Sequence, residues 1–93
     1  MRILNSDKIE TDTVDFGEVD IGTTKVMLLY IENATSALLR DIVIKIDDNS
    51  VKLVELPKEV QPNTIEPFKV SWTPKLKKGL KTKIYGEAYE IYG

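Results

Sequence analysis

The sequence predicts an all-β chain, a sandwich of six to seven short antiparallel strands, with a small five-stranded barrel as the rival architecture. Three observations point there. Over residues 66–74 the apolar Phe68, Val70 and Trp72 alternate with Lys69, Ser71 and Thr73, the period of a half-buried strand, and this run holds the only tryptophan. Turn-forming clusters recur every ~8 to 12 residues. No segment has helical spacing without a competing strand pattern. Two rings on one strand face each remove roughly 150 to 250 Å² from water, so Phe68 and Trp72 are expected to anchor the core.

Residues 1–12 are charged and weakly periodic, and are read as an N-terminal arm or edge strand ahead of a sandwich over residues 13–93. Val14 and Phe16 then face one way and Thr13 and Asp15 the other. Gly17 and Gly22 mark a bulge and a turn, because glycine enters positive φ without steric cost. Outward acids such as Glu18 and Asp20 discourage edge-to-edge pairing. Residues 26–31 are apolar at consecutive positions, which predicts a strand covered on both faces, as a central strand or as one whose second face meets a partner. A polar turn follows at residues 33–36, where Asn33, Ala34 and Thr35 formally match a glycosylation acceptor.

Residues 37–47 are ambiguous, because Leu39, Ile42, Val43 and Ile46 also satisfy helical spacing. The β-branched run of Ile42, Val43 and Ile44 decides for strand. Residues 47–50 form a turn cluster that lacks the glycine and distal glutamate of a calcium loop. A short strand at 51–56 ends at Pro57, and the two prolines nearby make 58–64 an irregular crossing or edge strand. The last segment, residues 80–90, places Leu80, Thr82, Ile84, Gly86 and Ala88 opposite Lys81, Lys83, Tyr85, Glu87 and Tyr89. The expected core is Phe16, Ile42, Ile44, Phe68, Val70, Trp72 and Ile84.

Ninety-three residues make one domain, and with no cysteine and no histidine it has neither disulfides nor ordinary zinc or haem ligands. No cofactor, metal or small-molecule substrate is expected. The amino terminus turns polar after Ile3 and Leu4, too early for an export signal, and the apolar runs fall far short of a membrane helix. The expectation is a non-exported chain, in a virion or the cytoplasm. Residues 1–50 hold five Lys or Arg against ten Asp or Glu and residues 51–93 hold eight against five, an asymmetry suited to head-to-tail contact or to plain solvation.

With the strands placed, the chain resembles the immunoglobulin-like β-sandwiches of the ASH, major-sperm-protein and PapD-like group. Val14-Asp15-Phe16-Gly17-Glu18-Val19 opens the likeness, and Tyr30-Ile31-Glu32-Asn33 continues it. Glu59-Val60-Gln61-Pro62-Asn63 is similar to the group's proline turn, and residues 68–74 with the later Lys78-Gly79 complete it. The resemblance implies a non-enzymatic module that binds other proteins. As a solitary domain it resembles the accessory or decoration proteins of phage capsids and tails.

Chemistry finds little purchase. Without histidine or cysteine only carboxylate or lysine catalysis remains, and Asp47 with Asp48, or Glu87 with Glu90, are accounted for as a turn and an outward face. Three functional readings stay open. The first is a structural or decoration component of a large assembly, which contacts other proteins or copies of itself through Tyr85, Tyr89 and Tyr92 bordered by Lys81 and Lys83. The second is a free adaptor that adds a partner strand at an edge near residues 1–12 or 85–93. The third is weak nucleic-acid binding through Lys75, Lys77, Lys78, Lys81 and Lys83.

Overall fold

Two four-stranded antiparallel sheets packed face to face make up the fold, and the computed structural model describes all residues 1–93. The strands are β1 (Arg2–Leu4), β2 (Thr13–Glu18), β3 (Lys25–Asn33), β4 (Leu38–Ile46), β5 (Lys52–Val54), β6 (Glu59–Val60), β7 (Thr64–Trp72) and β8 (Gly79–Ile91). One sheet runs β1-β3-β7-β5 and the other β2-β8-β4-β6. There are thus eight strands and not six to seven. The difference arises because residues 1–18 supply an edge strand to each sheet in turn, and because Glu59 and Val60 make two ladder pairs with Arg40 and Leu39.

Alternation decides which side chains reach the space between the sheets. Phe68, Val70 and Trp72 from β7 meet Phe16 from β2, Ile44 from β4 and Ile84 from β8 in one apolar cluster. The Phe16 and Trp72 rings, from opposite layers, lie 5.6 Å apart at 48°, a tilted contact of the kind worth about 1 kcal/mol beyond its buried area. Ile42 is only half-buried and packs at the margin of this cluster. Ile3 and Leu4 are buried in β1. The turn behind them is closed by Asn5, whose side-chain oxygen accepts from the N–H groups of Asp7 (2.9 Å) and Ile9 (3.1 Å).

Within the single chain, residues 26–31 form a central strand covered on one face only. β3 is central in its sheet, yet Val26 is 54% and Leu28 36% exposed on the outer side, while Leu29 and Ile31 fill the inner one. The continuous apolar run reflects one core face plus an unscreened outer face, on which the Lys8 ammonium sits 5.4 Å from the Tyr30 ring.

Two bulges set the registers around β8. In β2, Asp15 and Gly17 oppose the adjacent Lys81 and Leu80, so one residue is extra. Gly17 lies at φ 63°, where a side chain costs roughly 1–2 kcal/mol, and its N–H donates to Asp15 Oδ1 at 2.8 Å. In β4, Arg40 and Val43 oppose Tyr89 and Glu87, again with one residue extra, and Asp41 takes φ 52°. That insertion turns Leu39 and Ile42, three apart, toward the same side. The helix-like spacing in this segment is therefore the signature of a bulge.

Asn33, read as part of a polar turn, is 1% exposed. Its Nδ2 donates to the carbonyls of Ala37 (2.8 Å), Val60 (3.1 Å) and Gln61 (3.0 Å). Its oxygen accepts from the N–H of Thr35 (3.1 Å) and the Thr35 hydroxyl (2.6 Å). One side chain thus ties the β3–β4 turn to β6. Every Asn33 amide hydrogen is committed inside the fold, which leaves none for a glycan.

Candidate functional site

The longest strand carries the candidate site. At about 3.3 Å per residue the thirteen residues of β8 extend some 43 Å, close to the 48 Å long axis of the molecule. On one side β4 pairs with it from Ile84 to Ile91. On the other, β2 covers only Gly79 to Lys83, and the final contact is the Ile84 N–H donating to the Asp12 carbonyl at 2.9 Å. Residues 85–91 have no hydrogen-bonded strand on that side, although β1 of the other sheet packs against β8 and the Met1 side chain reaches Gly86.

The direction of the free groups follows from the ladder. Lys83 turns its carbonyl toward Asp47 beyond β4, whereas Ile84 turns its N–H toward β2. Alternation then aims the N–H and C=O of Gly86, Ala88 and Glu90 outward along the open edge. Three consecutive donor and acceptor pairs stand ready for another strand.

The row of side chains on the outer face of β8 is Lys81, Lys83, Tyr85, Glu87, Tyr89 and Ile91. Tyr85 (53%) and Tyr89 (68%) are well exposed, and Tyr92 (64%) follows just past the strand end. Lys81 and Lys83 lie in the same row but at its β2 end, opposite Asp15 and Thr13. Tyr85 and Tyr89 therefore share one surface bordered by the two lysines, whereas Tyr92 reaches back to Glu90, which alternation puts on the other face of the strand. Glu87 takes the Lys45 ammonium at 3.1 Å, and this hydrogen bond and charge raise the Lys45 pKa. The Tyr92 hydroxyl donates to Glu90 Oε2 at 3.0 Å, and that bond and the glutamate charge hold the phenol pKa above its ordinary value. Beside the β4 bulge, Asp41, Val43, Glu87, Ala88 and Tyr89 line a depression of about 340 Å³.

The fold divides the five lysines that the sequence groups together. Lys75 and Lys77 join Lys52 around a separate shallow cleft of about 430 Å³ floored by Ser71, Trp72 and Thr73, while Lys81 and Lys83 stand on β8. No three His, Cys, Asp or Glu side chains gather as metal ligands. Asp48, one of the paired acids, accepts from the Ser50 hydroxyl and N–H, which lower its pKa and account for it as a turn cap.

The sequence offers two edges, near residues 1–12 and near 85–93, and the ladder leaves the backbone of the second unpaired on one side. The open edge consists of backbone at Gly86, Ala88 and Glu90, and one trace of it in sequence is an alternating segment about twice the length of its β2 neighbour. Gly86 carries a second trace. A Cβ there would stand 2.8 Å from Ile44 Cδ1 and would strike the Met1 methyl, so the glycine leaves room for the N-terminal side chain between the sheets. Comparison with family models, curated proteins and solved structures finds no match to this chain.

Proposed function

We propose that this domain is a non-catalytic module that works by contact with other proteins, accepting a partner strand along residues 85–91 of β8. What supports this reading is one observation: half of the longest strand has a free backbone edge, with Tyr85, Tyr89 and Tyr92 exposed beside it. Strand addition draws affinity from main-chain hydrogen bonds and specificity from the alternating side chains. Exposed tyrosines supply rigid, amphipathic contact area.

In this reading the chain is an immunoglobulin-like module of the kind found among ASH, major-sperm-protein and PapD-like domains. It serves as a small structural or decoration component of a virion or other large assembly, in a virion or the cytoplasm. The adaptor reading uses the same edge with a freely exchanging partner. Nucleic-acid binding is the weakest of the three, because the fold splits the lysines between two surfaces and the net charge is -2.

Two measurements test the proposal. A capped peptide of alternating valine and threonine should shift the amide resonances of Gly86, Ala88 and Glu90, and Ala88→Pro should abolish the effect. Co-sedimentation from the source should place the chain in a large complex. Peptide shifts confined to the lysine cleft or to the outer face of β3, with the chain sedimenting alone, would refute it.

A further inference from the structure

We infer that the occupant of the open β8 edge is the same edge of a second copy of this chain, joined antiparallel about a two-fold axis at Ala88. The inference rests on the strand-addition reading above and names its partner. Two four-stranded sheets would become one continuous sheet across the dimer.

The extent of the edge selects the register. Ile84 is already bonded to Asp12 and β8 ends at Ile91, so the free length is residues 85–91 and its midpoint is Ala88. An antiparallel pair that uses all of it sets Ala88 against Ala88, Gly86 against Glu90, Glu87 against Tyr89 and Tyr85 against Ile91. The outward groups of Gly86, Ala88 and Glu90 then make about six backbone hydrogen bonds. A two-fold axis makes such a contact closed and self-complementary.

Charge removes the neighbouring choices. Centring the pair on Glu87 or on Glu90 would oppose like carboxylates, which is destabilising. Centring it on Tyr89 would set Gly86 against Tyr92 and Tyr85 against Gly93, both beyond the end of the strand. At Ala88 no two charges of one sign face each other, and Glu87 keeps its Lys45. On the outer face Tyr85 meets Ile91, an aromatic and β-branched cross-strand pair, and both are exposed in the single chain. On the inner side the exposed Glu90 falls opposite Gly86, over which the Met1 side chain lies.

Sedimentation velocity between roughly 1 µM and 1 mM should show a reversible dimer. Ala88→Cys, in a chain with no other cysteine, should oxidise to a covalent dimer, since Cα atoms of a hydrogen-bonded antiparallel pair lie about 5.5 Å apart. Glu90→Cys should not, because its counterpart sits across from Gly86. Ala88→Pro removes an N–H that the single chain does not use, so it should stay folded and dissociate at least about tenfold more readily. In the unmutated protein, amide exchange at Gly86, Ala88 and Glu90 should slow as concentration rises. A protein that stays monomeric throughout, yet whose three amides are protected by the valine-threonine peptide, would overturn the second copy and leave strand addition standing. Amides already protected in the monomer would overturn both.

Discussion

Replacing Asn33 should cost this domain more than any surface change, and the size of the loss follows from its hydrogen bonds. Asn33→Ala strands the carbonyls of Ala37, Val60 and Gln61 and the N–H and hydroxyl of Thr35. Each buried polar group left without a partner costs about 1–3 kcal/mol. Water entering the vacated space re-solvates some of them, so the sum falls at about 3–4 kcal/mol. That is a large share of the roughly 5–14 kcal/mol expected for a chain of this length. Urea denaturation followed through Trp72, the single tryptophan and 3% exposed, should show a midpoint lowered by about 2–3 M at unchanged slope. Asn33→Asp keeps the shape but turns an oxygen on three carbonyls. Its folded pKa must rise above the unfolded value of about 4, so the variant is most stable below that value and loses stability as pH climbs through the folded pKa. A loss below about 0.5 kcal/mol for Asn33→Ala would refute the reasoning, because such a value belongs to an exposed turn.

Other positions test other parts of the fold. Gly86→Val should lower the melting temperature by about 5–15 °C through overpacking against Ile44 and Met1, and removing Met1 in the same chain should restore part of the loss in a thermal melt. Gly17→Ala places a side chain at φ 63° and should cost about 1–2 kcal/mol in urea titration although the space around it is open. Ser50→Ala should raise the depressed Asp48 pKa toward its ordinary value in an NMR titration, because the hydroxyl is the largest cause of the depression. Asp48 binds its proton less readily folded than unfolded, so its small contribution is present above the unfolded pKa and is lost as pH falls through the folded one. Ser50→Ala should flatten that acid limb.

The elements that alternate against a single core could be read from the sequence. Phe68, Val70 and Trp72 announce β7 because every second residue is apolar and the run is bracketed by prolines, and Asp47 to Ser50 announce a turn because short polar side chains cap local N–H groups. Three features escaped for identifiable reasons. A run of apolar residues such as Val26 to Ile31 cannot say whether its outer face is covered, since solvent exposure belongs to the neighbours. A bulge such as that at Asp41 shifts the phase of alternation and imitates helical spacing. Asn33 looks like turn punctuation because its value lies in acceptors 27 and 28 residues away, beyond any local pattern. The exposed tyrosines of β8 were legible and residues 85–93 stood as one of two candidate edges, whereas the extent of the unpaired backbone was not legible, because a missing neighbour has no residues.

That missing neighbour has a structural cause. β1 belongs to the sheet with β3, and β2 belongs to the sheet with β8, so the segment between them must cross from one layer to the other, a separation of about 10 Å. Residues 5–12 are consumed in that crossing. The Asn5 turn folds the chain back until Glu10 bridges Leu4, and the Thr11 N–H donates to the Ile3 carbonyl at 2.9 Å. By the time the chain reaches β8 it is at Asp12, level with Ile84, and it runs from there toward Gly79. Had residues 2–18 formed one straight strand on β8, they would have covered it to its end, and the other sheet would have lacked β1. Splitting the strand seals Ile3 and Leu4 into one layer and leaves residues 85–91 bare in the other. The free edge is thus a consequence of how the first eighteen residues close both sheets, and a change that loosens the Asn5 turn, such as Asn5→Ala, should free residues 1–4 without protecting the amides of Gly86, Ala88 and Glu90.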